Sequence, residues 1–153
     1  MNANNIFDTD FQDFIKALNE CDVAYILVGG KAVILHGYSR STGDMDIWVN
    51  RTAANHQQLI RAFKAFGLPS DMILLADFIR GEPFDVFTFG RSPIAIDIML
   101  SVKGLDFETA FENAVWCDFD DFRLRYLRLD DLLTAKRAAG RYKDLDDIEH
   151  LEK

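Results

Sequence analysis

Asp44 and Asp46 flank Met45 in the stretch Gly43-Asp-Met-Asp-Ile-Trp-Val49. Side chains two apart on a strand point to one face, so the two carboxylates stand together while Met45 faces the other way. Carboxylates sharing a strand face repel each other, and a divalent cation between them is the simplest way to make the arrangement favourable. One or two hard cations held in this way are the standard device for in-line displacement at phosphorus. Upstream, the apolar run Tyr25-Ile-Leu-Val28 leads into Gly29-Gly30. Two glycines let a backbone approach a ligand closely. The N–H groups and dipole at the start of a following helix favour an anion such as a triphosphate. A phosphate cradle beside a pair of metal-binding acids is suited to group transfer at a phosphate.

The surrounding elements are those needed to position such a site. Tyr25–Val28 is apolar and rich in β-formers, as in a buried strand spanning 24–29. A helix over 30–37 stops at Gly37, a turn covers 38–43, and a second strand runs over 45–50. Before them, Phe11, Phe14, Ile15 and Leu18 fall at helical spacing in 10–20, with Asp8 or Thr9 as the cap. After them come an amphipathic helix over 53–66 ending at Gly67 and a short helix over 70–79 broken by Gly81-Glu-Pro83. Strands follow over 84–89 and 94–100, joined across Gly90 to Pro93. A helix is expected over 106–115, a strand over 119–127, a helix over 129–139 led by Asp130-Asp131 and closed by Gly140, and a charged helix over 143–152. The expected fold is α/β (α+β), a mixed sheet with helices packed mainly on one face. Strands 24–29 and 45–50 should be parallel because a helix intervenes, and 84–89 and 94–100 antiparallel because their link is short.

Taken alone, each motif is weak. Gly-Gly is usually a plain turn. Gly30-Lys31 does not open a Walker A loop, because the required spacing is absent and Ala32 follows the lysine. The joint pattern is more specific. A hydrophobic strand, Gly29-Gly30, the gap 31–43 and Asp44-Met-Asp-Ile47 together resemble the signature of the DNA polymerase beta-type nucleotidyltransferase superfamily. Arg40, Thr42 and the closing Arg141-Tyr-Lys-Asp-Leu145 with Asp147 are most similar to small bacterial nucleotidyltransferases grouped with AbiEii-type toxins and with lincosamide and aminoglycoside nucleotidyltransferases. The resemblance covers roughly 20–150.

That resemblance implies a nucleotidyltransferase fold with C-terminal helices 129–152 packing on a single domain 1–153. It implies a third acid on a neighbouring strand, so that catalysis and metal binding fall to Asp44, Asp46 and either Asp97 or Asp85. An acid inside an apolar strand is costly unless paired or metal-bound, and Asp97 between Ile96 and Ile98 fits that description better than Asp85 beside Pro83. The implied nucleotide contacts are Gly29, Gly30, Lys31, Arg40 and Thr42, with Lys136 and Lys143 reaching the phosphates. The cofactor would be Mg²⁺, as two ions, and the substrate an NTP. The acceptor is left open among tRNA, a protein and a small hydroxylated molecule. A cognate antitoxin or other partner protein is also implied. The chain ends soon after the core, leaving little room for an acceptor pocket unless it forms a homodimer. The competing class is a non-catalytic nucleotide-binding regulatory or toxin–antitoxin interaction module.

The bulk numbers fit one domain: 153 residues, 49% hydrophobic, with 13 Phe for a core. No run approaches a membrane span. The polar, acidic start MNANNIFDTD is unlike a secretory signal, and Cys21 and Cys117 lack metal spacing, so the chain reads as cytoplasmic with reduced thiols. A net charge of −8 argues against a general nucleic-acid coat. Residues 123–143 nonetheless carry Arg123, Arg125, Arg128, Lys136, Arg137, Arg141 and Lys143 against Asp130 and Asp131. That basic band faces either a triphosphate, an RNA end or solvent.

Overall fold

The structure is a computed structural model and describes residues 6–80, 85–91 and 94–153. The break expected at Gly81-Glu-Pro83, the start of the strand at Phe84 and the Ser92-Pro93 turn lie outside the described residues.

Helix α1 (Thr9–Glu20) starts where Asp8 accepts a hydrogen bond from the Asp10 amide. It lays Phe11, Phe14, Ile15 and Leu18 on the sheet. Strand β1 (Tyr25–Val28) is buried along its length and passes directly into helix α2 (Gly29–Leu35). Strand β2 (Met45–Val49) and helix α3 (Ala53–Phe66) follow, the latter closed by Gly67 in the left-handed region at φ 102°. Helix α4 (Leu75–Arg80) begins later than expected, because 69–72 form a turn first, with the Met72 amide on the Pro69 carbonyl. Strands β3 (Val86–Arg91) and β4 (Ile94–Met99) pair antiparallel, as expected. Helix α5 (Phe107–Asn113) is capped by Asp106. Helix α6 (Leu129–Ala139) ends at Gly140, φ 65°, and helix α7 (Tyr142–Leu151) follows.

Between α5 and α6 the structure differs from the expected single strand. Strands β5 (Val115–Asp118) and β6 (Arg123–Tyr126) form a hairpin, closed by the Phe119 amide on the Phe122 carbonyl. No glycine or proline separates α5 from β5. The periodic signal of the helix therefore ran on into a strand of four residues, too short to announce itself.

Among the described residues six strands form one mixed sheet in the order β3-β4-β2-β1-β6-β5. The larger core, with α1, α3 and α4, covers one face through Tyr25, Leu27, Met45, Ile47, Val49, Ile96 and Ile98. A smaller core covers the other through Ile26, Val28 and Trp48 with Phe107 and Leu132. Met45 lies in the larger core, on the face opposite the acids that flank it.

The expected parallel pairing of the first two strands is wrong: β1 and β2 are antiparallel, with Val28 opposite Asp46. A parallel crossover must carry the chain back along the whole strand before the next one starts. Helix α2 is too short for that, rising only about 10 Å over its length. The loop 36–44 returns the chain to the end it left. The consequence is central to the site: the C-terminal end of β1, with Gly29, meets the N-terminal end of β2, with Asp44 and Asp46. Parallel strands would have held them apart by roughly 15 Å.

Candidate active site

Strands β2 and β4 lie side by side and parallel, with Asp46 directly opposite Asp97. Each acid therefore sits at an equivalent height on the smaller-core face. The two carboxyls are hydrogen-bonded to each other. On the outer side Thr88 Oγ1 donates to Asp97 Oδ1 at 2.6 Å. Burial first, then the hydrogen bond with Asp97 and the charges of Asp97 and Asp44, push the Asp46 carboxyl up to about 7, while Lys136 opposes the shift. Asp85 precedes β3 at the edge of the sheet, outside the cleft formed by the other acids.

The glycines are required by the acid itself. Gly29 has φ 71°. A Cβ there would collide with Asp46 Oδ2 and stand 3.0 Å from its Cγ. A Cβ on Gly30 would lie 2.6 Å from Thr42 Oγ1 and 3.3 Å from Arg40 Nη2. The pair lets Asp46 on one side and the 40–42 loop on the other close onto the start of α2.

The opposite wall is cationic and is assembled by long-range ion pairs. Arg40 Nε and Nη2 donate to both oxygens of Asp147, at 2.7 and 2.9 Å. Lys136 Nζ reaches Asp147 at 3.0 Å and Asp144 at 3.2 Å. Arg141 Nε donates to Asp144 at 2.6 Å. Asp144 and Asp147 are fully buried on one face of α7, three residues apart as helical neighbours must be. Burial alone would raise the Asp144 carboxyl, but hydrogen bonds from Arg141 and Lys136 hold it below the usual range. Tyr38 completes the clamp, stacked on His150 with centroids 4.0 Å apart and donating to Asp146 at 2.8 Å. The loop 38–42 is therefore pinned to the C-terminal helix.

These two walls enclose one cleft of about 520 Å³. It brings together Asp44, Asp46, Asp97, Gly29, Gly30, Arg40, Thr42, Lys136 and Lys143, nine residues singled out from sequence. Lys31 is not among its lining. Its ammonium bonds the Ile6 carbonyl at 2.9 Å and lies over the Phe7 and Phe11 rings, and burial lowers its proton affinity against the pull of Asp44 and Asp46. The basic band divides: Lys136, Arg141 and Lys143 line the cleft, Arg128 and Arg137 pair with Asp131 and Glu152, and Arg123 and Arg125 lie elsewhere. Arg141 was not singled out as a site residue. The spacing of three that puts Asp144 and Asp147 on one helix face suggests Lys143 or Arg141 as the cation they orient. Arg141 does pair with Asp144, whereas the other cations held are Lys136 and Arg40, and Lys143 makes no ion pair among the described residues.

The donor set fits a hard divalent cation, since Asp44, Asp46 and Asp97 offer carboxylate oxygens to one cleft. Among the described residues no three acidic, histidine or cysteine side chains stand already gathered as a metal cluster.

Over residues 7–152 the chain matches the family described as nucleotidyltransferase of unknown function (DUF6036), and it belongs to that family. No curated protein matches it.

Proposed function

We propose that the protein moves a nucleoside monophosphate from an NTP to a hydroxyl acceptor and releases pyrophosphate. The observation that carries this reading is the facing of Asp46 and Asp97 across adjacent strands, with Asp44 beside them and a cationic wall opposite, in one cleft. Asp44, Asp46 and Asp97 would hold Mg²⁺, whose chemistry at such sites is to acidify the acceptor hydroxyl and neutralise phosphate charge.

The chain's own residues supply the rest. The acceptor oxygen forms a bond to the α-phosphorus, and the bond from that phosphorus to the oxygen bridging to the β-phosphate breaks. Asp97, fixed by Thr88, takes the hydroxyl proton. Arg40, Lys136, Arg141 and Lys143 stabilise charge on the β- and γ-phosphates of the departing pyrophosphate. Lys143 makes no ion pair among the described residues and remains available to a phosphate. Thr42 and the amides of Gly29 and Gly30 complete the polar lining.

Arg40, Thr42 and the closing 141–147 segment support kinship with the AbiEii-type and antibiotic-modifying branch, hence a role in which a partner protein, a tRNA or a small hydroxylated molecule is the acceptor. Among the described residues no helix is long and apolar enough to cross a membrane. Cys21 and Cys117 are free thiols, which supports a cytoplasmic setting. The second reading is a regulator that binds nucleotide in the same cleft without transfer.

The test is label transfer from each α-labelled NTP with Mg²⁺ into total tRNA, a cell-protein extract and a small-molecule pool. Label should enter one pool and be lost in Asp44→Asn, with circular dichroism unchanged. Mg²⁺-dependent NTP binding without label in any pool establishes the regulator instead.

A further inference from the structure

At the other end of β1 a second pocket, of about 300 Å³, shares no residue with the cleft. Tyr25 lines it, whereas Gly29 lines the active cleft, so the two lie at opposite ends of the same strand. Its wall is a stack of cations and rings on the β5–β6 hairpin and α5. The Arg123 guanidinium carbon is 4.0 Å from the Trp116 ring centroid. That of Arg125 is 4.3 Å from Trp116 and 4.0 Å from Phe111. The floor is fixed by hydrogen bonds: Tyr25 donates its hydroxyl to Asn19 Oδ1 at 2.8 Å and accepts from the Arg125 amide, and Asn19 Nδ2 donates to the Arg123 carbonyl.

The stack leaves a specific surplus of binding capacity. Cation–π contact uses the flat face of a guanidinium, while its N–H groups lie in the plane. Arg125 lies over two rings, and its guanidinium N–H groups have no hydrogen bond or ion pair among the described residues. Arg123 lies over Trp116 on one side, and its side chain is 54% exposed. Among the described residues its ion pair is a 3.7 Å contact with the exposed Asp118. Asp22, the carboxylate on the rim, pairs with neither arginine. Among the described residues the only ion pair these two guanidiniums make is the long Arg123–Asp118 contact, so the pocket keeps donor capacity for an anion.

We propose that this pocket is a nucleotide-binding site separate from the active cleft, with Arg125 forking a phosphate and the open face of Arg123 stacking a base. A carboxylate-bearing peptide would use the edges alone. A nucleotide uses edge and face together, because guanidinium planes stack on bases while guanidinium edges bind phosphate bidentately. The nucleotide is either free or part of a single strand of RNA, whose alternation of phosphates and bases presents the same chemistry.

The experiment is fluorescence anisotropy with two probes, a labelled AMP and a labelled single-stranded RNA decamer. Both are titrated with the full chain in EDTA, which withholds any cation from the active cleft. Saturable binding should weaken tenfold or more in Arg125→Gln and several-fold in Arg123→Gln, and stay within twofold in Lys143→Gln. Binding of AMP assigns the site to free nucleotides, and binding of the decamer alone assigns it to RNA. Arg123 is exposed enough that its variant keeps the fold if Arg125→Gln does not. The proposal fails if neither probe binds, or if affinity is indifferent to the arginines and falls with Lys143→Gln.

Discussion

One wall of the cleft carries acids on adjacent strands, and the other carries cations on a loop and two helices. Asp46 and Asp97 face each other because β2 and β4 are hydrogen-bonded in that register. Their placement follows from backbone pairing and needs no side chain to hold it. Arg40 is drawn to the cleft by Asp147, far along the chain, and Lys136 is held there by Asp147 and Asp144 together. The acid wall is thus held by the sheet, whereas the cation wall is held by two buried carboxylates on α7. A site built this way should lose its two walls for different reasons.

Removing Asp147 separates the two designs most sharply. Asp147→Ala leaves Arg40 and the buried Lys136 without their shared partner, and breaking a buried pair on one side costs about 3–4 kcal/mol. Urea unfolding should show that loss. NTP affinity should fall with it, because Arg40 and the 40–42 loop are released, while the β2–β4 register stays intact. Amide exchange of β2 and β4 checks the last point. If β2 and β4 lose protection together with the loop, the walls are one cooperative unit and the comparison breaks.

On the acid side the equivalent perturbation is steric. Gly29→Ala places a Cβ against the Asp46 carboxylate at a left-handed φ of 71°. Backbone strain and the displaced carboxylate together cost about 2–3 kcal/mol. Thermal unfolding should register it, and transfer should fall more than NTP binding, since the phosphate-facing cations are untouched. Gly37 is a control, because nothing stands within 4 Å of a Cβ there. Gly37→Ala carries only the backbone penalty of its positive φ.

The same contrast explains what sequence could show. Asp44 and Asp46 could be recognised because strand periodicity is local: a spacing of two fixes a shared face whatever the rest of the fold does. Helices α3 and α6 fell on their expected residues, 53–66 and 129–139, because glycine closes each at a left-handed position. The sheet was less legible. Strand direction depends on whether a crossover spans the strand, and a helical pattern of seven residues does not state that its axis is too short. The expected parallel pairing was in conflict with the site it was meant to build, since a glycine cradle beside Asp46 requires antiparallel β1 and β2. Asp97 could be ranked above Asp85 by its apolar neighbours alone, and the register then placed it opposite Asp46. Nothing local marks Lys31 as different from Lys136. One is buried under Phe7 and Phe11, the other is held at the cleft by acids on the next helix.

Protonation gives the finest test, because the two walls respond to pH with opposite sign. Asp46 is pushed up to about 7 by burial and by its acidic neighbours. Between roughly pH 4 and 7 the folded, cation-free protein holds a proton that the unfolded chain has lost. Stability from this group is therefore full at low pH and declines as pH rises through about 7. Asp144 is held below its ordinary range, so its contribution is present above the unfolded value and lost on acidification. In EDTA, Asp46→Asn should flatten the loss between about pH 4 and 7. Asp144→Asn should instead flatten the loss below about pH 4. Added Mg²⁺ should stabilise the wild type at pH 8 and leave Asp46→Asn nearly unchanged, because the cation and the proton compete for the same carboxylates. A wild type whose stability is indifferent to Mg²⁺ at pH 8 would leave the acids as a wall held by the sheet but without the metal chemistry proposed for it.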